Sequence, residues 1–212
     1  MRDIRITKTA PEKRRLQAMA RVFAGALMIA ALAGLIYIQI DELIAATRNP
    51  RWAKPISLPD SKNFYQVSDD LYRSAQPSAA AFKAYEELGI KTVLCLRNAE
   101  KDKKLMKGTG LDLKSVPMIA GNITDEHIIQ ALRFIHESPK PVLVHCYRGA
   151  DRAGAVTAAY RVVFEGWSKE DAVDELINGG YRFDENKKNI PEYIRAMDVE
   201  KIRSAVLFPE LP

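Results

Sequence analysis

The chain has 212 residues, 28% of them charged and 47% hydrophobic, with no low-complexity tract and no internal repeat, which leaves room for one globular domain and some additional chain. Its formal net charge of +5 comes from the N-terminus, where Arg2, Arg5, Lys8, Lys13, Arg14, Arg15 and Arg21 face only Asp3 and Glu12. Everything after residue 21 is neutral on balance, so a basic nucleic-acid groove is not indicated and no nucleic-acid partner is expected.

The basic tail, residues 1–21, runs into "VFAGALMIAALAGLIYIQI", Val22 to Ile40, which holds no charged side chain. As a helix rising about 1.5 Å per residue this run approaches the thickness of a bilayer's hydrocarbon core, so it is expected to be a single transmembrane anchor. The positive-inside bias keeps the basic end in the cytoplasm and sends the rest across. In a bacterial chain that places the following domain in the periplasm at the inner membrane. The alternative is a signal peptide cut near Ala31-Leu32-Ala33. Residues 41–61, with three prolines and no sustained periodicity, read as a linker, and the domain is expected over 62–208.

Within that domain strand-like and helix-like stretches alternate. "NFYQVSDDLYRSA" predicts two short strands around a turn at Ser68-Asp69-Asp70, and "SAAAFKAYEEL" a helix from Ser78 that stops at Gly89. "IKTVLCLR" reads as a buried strand; a mixed lysine- and glycine-rich segment and a strand "LKSVPM" follow. A helix from about Thr124 puts Ile128, Leu132 and Ile135 on one face. "PVLVH" is the next strand, and the helix after it presents Val156, Ala159, Tyr160 and Val163 to a core. Ser168 with Asp171 caps "KEDAVDELI", closed by Gly179-Gly180, and Pro191 opens a final helix through about Val206. The alternation predicts an α/β domain with a mostly parallel central sheet flanked by helices.

Ligands of such sheets collect at the carboxyl ends of the strands, where "VHCYRGADRAG" stands. A loop from a buried strand to a helix N-terminus gathers backbone N–H groups into one concavity and adds the helix dipole, which makes an oxyanion cradle. A cysteine at its base, Cys146, is expected to gain thiolate character from the same field. An arginine at its rim, Arg152, can hold two oxygens of a phosphoryl group and neutralise charge in the transition state. Nucleophilic attack on phosphorus through a cysteinyl phosphate is the chemistry this arrangement serves.

His145-Cys146, the five residues that follow, Arg152, and Gly149 between them resemble the signature of the cysteine-dependent tyrosine and dual-specificity phosphatases. "LYRSAQPS", "GIKTVLCLRN", "VLVHC" and "YRVVFEGWSKEDAVDEL" extend the resemblance to the bacterial, membrane-associated or periplasmic members over about residues 63–206. It implies a three-layer phosphatase domain that needs no metal or other cofactor. Phosphotyrosine-type protein substrates are expected, with a phospholipid or phosphoinositide headgroup as the competitor because the anchor keeps the site near lipid. Tyr147, Arg148, Gly149, Ala150 and Asp151 become substrate-binding positions.

Two positions depart from the family's pattern. The residue after the arginine, ordinarily serine or threonine, is Ala153. The general acid, ordinarily an aspartate on a separate earlier loop, has no counterpart in "MIAGN"; Asp112 lies at the far edge of that window, Asp125 is the candidate on position, and Asp151 is a third. Arg148 would suit a ligand with a second phosphate, while Asp151 also reads as a partner for neighbouring arginines. His145 reads as a structural hydrogen-bond partner of the loop. Cys95, on the strand the resemblance places beside the catalytic one, is either a buried core thiol or a redox partner of Cys146. A sulfurtransferase of the rhodanese type and a phosphatase-like module that binds without turnover are the rival classes.

Overall fold

The computed structural model describes residues 48–208 and, ahead of them, Met19, Arg21, residues 23–37 and Gln39. The chain divides into two compact units, residues 1–50 and 51–212. In the first, residues 23–37 form a helix, α1, whose large apolar side chains, including Phe23, Leu27, Ile29, Leu32 and Ile36, are exposed. Among the described residues no helix is long and apolar enough to cross a membrane. The basic tail apart from Met19 and Arg21, the ends of the apolar run at Val22, Ile38 and Ile40, and linker residues 41–47 lie outside the described residues.

The second unit is built on a six-stranded mixed sheet: β1 (Lys54–Pro55), β2 (Tyr65–Gln66), β3 (Leu71–Ser74), β4 (Thr92–Cys95), β5 (Asp112–Ser115) and β6 (Val142–His145), in the spatial order β1-β2-β3-β6-β4-β5. β3, β6, β4 and β5 are parallel, and the β1–β2–β3 edge is antiparallel. The expected linker therefore contributes a strand, since Lys54 pairs with Gln66. Its low hydrophobicity concealed this, because a two-residue exposed edge strand needs backbone partners only.

Side-chain alternation assigns the two faces of the sheet. Val93 and Leu143 pack with Phe82 and Tyr85 of α2 (Ala79–Glu87) and with Met106, which follows α3 (Glu100–Leu105). Leu94, Leu96, Val142 and Val144 pack on the other side, with apolar residues of α4 (Asp125–Glu137), α5 (Asp151–Phe164), α6 (Lys169–Asn178), α7 (Asn189–Ala196) and α8 (Val199–Leu207). Helix, sheet and helix make the three layers.

The caps follow the sequence. Ser78, Thr124 and Ser168 each accept a backbone N–H from the first turn of their helix. The expected single C-terminal helix is two: Met197 leaves helical geometry and Asp198 caps α8 by accepting from Lys201 N. The lysine- and glycine-rich segment holds the short helix α3, which carries the fully buried Asp102.

One buried ion pair links the start of this unit to its helices. Arg161 on α5 grips Glu175 on α6 through Nε and Nη2 at 2.8 and 3.1 Å, and Glu175 also accepts from Ala53 N at 2.6 Å and Tyr181 Oη at 2.8 Å. Burial works to raise the Glu175 carboxyl, but these donors outweigh it and hold it below the usual range. Breaking such a pair by removing one partner costs about 3–5 kcal/mol. Its position matters for the site, because it fixes Tyr181.

Candidate active site

β6 ends at His145, and Cys146 is the first residue past the carboxyl edge of the sheet. The loop 146–150 then turns into α5, whose N-cap, Ala150, has no capping side chain. The carbonyls of this loop all face protein donors. His145 Nδ1 lies 3.4 Å from Cys146 O. Gln76 N donates to Tyr147 O at 3.1 Å, and Asn63 Nδ2 to Arg148 O at 2.9 Å. Arg73 Nη2 donates to Gly149 O at 2.8 Å and Ala150 O at 3.2 Å. With the carbonyls turned outward, the N–H groups of Tyr147 through Arg152 donate to no partner among the described residues. Successive free N–H groups at a helix N-terminus form an anion cradle with Cys146 at its base.

Arg73 is the residue that sequence reading missed. Its guanidinium is 1% exposed and lies 3.7 Å from the centre of the Tyr181 ring. Burial lowers its pKa, and the negative charge that Tyr181, Glu175 and Cys146 can carry opposes that shift. The cation thus sits where it interacts favourably with a Cys146 thiolate. In the sequence it was one basic residue in a strand, "LYRS", and strand periodicity does place Arg73 on the face opposite Tyr72; only the tertiary fold brings the loop to it. Asn63, the other loop-holding residue missed, has positive φ and bridges Arg148 O and Tyr181 O.

Gly149 adopts φ +72°, and a Cβ there would lie 2.5 Å from Ala75 N and from Ser74 C. Both the dihedral and the contact with the end of β3 demand glycine. Gly154 serves packing instead, since a Cβ would meet Leu176 Cδ1 of α6 at 2.4 Å.

Arg152 uses Nη1 on two carbonyls, Leu96 O at 3.3 Å and Met118 O at 3.2 Å. That anchors the guanidinium and leaves Nε and Nη2, the bidentate edge, free of partners among the described residues. It lines a cavity of about 540 Å³ together with Arg97, Asn98, Met118, Ile119, Asn122 and His127. Arg148, by contrast, points to Asp151 Oδ2 at 2.8 Å and Asp184 Oδ2 at 3.3 Å, and these carboxylates raise its pKa. Asp151 also accepts Asp184 N at 3.1 Å. Arg148 and Asp151 therefore neutralise each other on the rim, and Tyr147, 63% exposed, stands beside the Arg97 guanidinium 5.1 Å from its ring centre. Ala153 is fully buried.

The carboxylates expected as acids lie elsewhere. Asp112 begins β5, at the opposite end of the sheet from Cys146, and pairs with Lys114 at 3.0 Å. Asp125 begins α4, where Lys201 Nζ donates to it at 2.8 Å and Tyr193 Oη at 2.9 Å. The Lys201 ammonium holds the Asp125 carboxyl below the usual range, against a smaller opposing effect of burial. It is thus ionised at neutral pH and has no proton to give. Its partners on α7 and α8 hold that carboxylate, and it is not among the residues that line the cavity beside Arg152.

Behind the loop, Cys95, Asp102 and His145 bring their ligand atoms within 4.8 Å of one another, all three residues buried. His145 Nε2 lies 3.2 Å from Asp102 Oδ2, and Gln76 Nε2 donates to Asp102 Oδ1 at 2.6 Å. Burial raises the Asp102 carboxyl, and donation from His145, Cys95 and Gln76 overrides it to leave the pKa low. Burial, with hydrogen bonding to Asp102, pushes the Cys95 thiol up to about 12. Gln76 is spent on Asp102 and the Cys95 thiol donates to Arg97 O at 3.5 Å, while His145 Nε2 and Asp102 Oδ2 face each other with no other partner among the described residues. Cys95 pairs in register with His145, and alternation turns it to the face opposite Cys146.

A three-layer α/β domain with a cysteine at the base of an N–H-lined loop and an arginine at its rim defines a cysteine-dependent phosphatase. A family model described as "Tyrosine phosphatase family" matches residues 59–206, and the chain belongs to that family. It is 33% identical over 164 residues to the dual specificity protein phosphatase TpbA of Pseudomonas aeruginosa, covering 76% of this chain and 74% of that one. It is 27% identical over 152 residues to the inositol diphosphatase SIW14 of Saccharomyces cerevisiae, covering 67% of this chain and 53% of that one. A crystal structure of a TpbA variant in complex with pTyr superposes with a TM-score of 0.69 at 31% identity, covering 76% of this chain and 99% of that one. The chain is a phosphatase acting on phosphate monoesters, which sets aside the sulfurtransferase.

Replacing Gly149 by alanine drives a methyl group into the backbone of Ser74 and Ala75 and adds strain of about 1–3 kcal/mol at the positive φ. The expected result is a loss of kcat/KM of about 10²-fold or more as the cradle shifts against Arg152, measured with a small aryl phosphate.

Proposed function

We propose that this chain is a membrane-tethered protein phosphatase whose leading substrates are phosphotyrosine side chains. The observation that carries the reading is the inverted loop, with its carbonyls held by Arg73, Asn63 and Gln76, its N–H groups free and Cys146 at its base. Cys146 Sγ attacks phosphorus, the ester P–O bond breaks, and the phosphoryl group passes to sulfur; water then releases inorganic phosphate. Arg152 offers its Nε and Nη2 to two equatorial oxygens throughout. Tyr147, Gly149 and Ala150 form the wall and floor of the phosphate site, and Arg148 with Asp151 forms its rim. The exposed Tyr147 ring supplies a flat apolar surface for an aromatic leaving group.

A second reading, inositol phosphates or phosphoinositide headgroups, draws support from the cavity beside Arg152. Arg97 and Arg152 both line it, and neither pairs with a carboxylate among the described residues. Two uncompensated guanidiniums suit a substrate with a second anionic group. The named activity of the yeast relative agrees with that class.

Localisation follows from the N-terminus. The uncharged run Val22 to Ile40, preceded by basic residues, supports a single-pass inner-membrane anchor with the catalytic unit in the periplasm. In intact spheroplasts, external protease is expected to digest the catalytic unit; its full protection would overturn this topology.

The catalytic reading is tested with Cys146→Ser in the full chain. Release of phosphate from p-nitrophenyl phosphate and from a phosphotyrosine peptide is expected to fall at least about 10³-fold, since the hydroxyl lacks the activation of the thiol. Equal rates for wild type and variant would leave only a phosphate-binding module.

A further inference from the structure

We propose that His127 is the general acid of this phosphatase, a role that rests on the cysteinyl-phosphate reading above and fills the position left empty by the missing loop aspartate. The geometry reaches this by elimination and by placement. Asp112 is at the far end of the sheet, Asp125 is held by Lys201 and Tyr193, and Asp151 is held by Arg148 and Asp184 N. The cavity that opens beside Arg152 has no carboxylate in its lining. Of the side chains that line it, the arginines cannot release a proton and the asparagines carry none to exchange. The imidazole of His127 is the one side chain of that lining with the chemistry to give and retake a proton.

The ring is held in a defined orientation. His127 is the third residue of α4, and its own N–H donates to the N-cap Thr124 Oγ1. Its Nδ1 lies 3.1 Å from the same oxygen. The neighbouring Thr124 hydroxyl also lowers the pKa of the Glu126 carboxyl. With Nδ1 engaged by Thr124 Oγ1, Nε2 is the nitrogen left for the cavity. The charged groups around the ring are Asp125 and Glu126 on its own helix, Lys201 on α8 engaged with Asp125, and Arg97 and Arg152 across the cavity.

The proton balance closes over the cycle. As Cys146 Sγ bonds to phosphorus and the ester P–O bond breaks, the electron pair goes to the leaving oxygen, which takes the proton from Nε2 and departs as an alcohol. The neutral ring then takes a proton from the water that attacks the cysteinyl phosphate. Sulfur leaves as thiolate, phosphate is released, and the imidazolium is restored.

The test uses leaving groups of graded acidity, because a general acid matters most when the departing oxygen is basic. In the full chain, His127→Gln is expected to lose about 10²-fold or more in kcat on phenyl phosphate and on a phosphotyrosine peptide. On p-nitrophenyl phosphate, whose phenolate needs no proton, the rate should stay within about threefold of wild type. The retained rate on the nitrophenyl ester is also the control for folding. His127→Asn should give the same steepened dependence on leaving-group acidity. A variant that keeps the wild-type dependence, or one that loses the same factor on all three substrates, would overturn the assignment. Failure of the underlying reading shows separately, as wild-type rates in Cys146→Ser.

Discussion

The structure depends on one constraint: the backbone of residues 146–150 must turn its carbonyls into the protein so that its N–H groups face a ligand. A loop left to itself satisfies its carbonyls and its N–H groups together with water or with its own turns. Here the carbonyls are taken by donors drawn from three places, β3 and the chain on either side of it, the buried His145 ring, and α5 itself. Arg73 is central. A buried cation is costly, and its setting shows what offsets that cost: two carbonyl acceptors, the face of Tyr181, and the Glu175 carboxylate behind it. The Arg161–Glu175 pair, distant from the chemistry, thereby reaches the active site through Tyr181.

The same arrangement distributes charge unevenly around Cys146. On one side Arg148 is neutralised by Asp151 and Asp184; on the other Arg97 and Arg152 face a cavity without carboxylates. Among the described residues, the uncompensated positive charge therefore lies on the Arg152 side. Beneath the loop, the Asp102–His145 pair fixes the ring that supports the Cys146 carbonyl. The residues around it, including a Cys95 thiol with its pKa pushed up to about 12, are closed to solvent.

Much of this was legible in the sequence, and the limits have physical causes. The Cys146–Arg152 spacing, Gly149, the strand before and the helix after are local features, so the loop could be read directly. Ser78 and Ser168 marked helix starts because a cap acts within one turn. What could not be read required contacts distant along the chain. Arg73 reaches Gly149 across 76 positions, and nothing in "LYRS" distinguishes it from a surface arginine. The same limit applies to Asp125: its place in the sequence recommended it, whereas α8, through Lys201, determines where that carboxylate points. His127, two residues later on α4, lines the cavity instead. The break at Asp198 was missed for a different reason, since apolar periodicity continues through it and only the capping side chain marks the new start.

The central claim concerns the main chain, and the most direct test observes it. Amide resonances of the 15N-labelled catalytic unit within the full chain, recorded during titration with orthovanadate, report which N–H groups meet a phosphate-like anion. The largest shifts are predicted at Tyr147 to Arg152, saturating together, with Arg73→Met abolishing them while the remaining spectrum stays dispersed. Shifts centred elsewhere, or a cradle that binds unchanged without Arg73, would contradict the account.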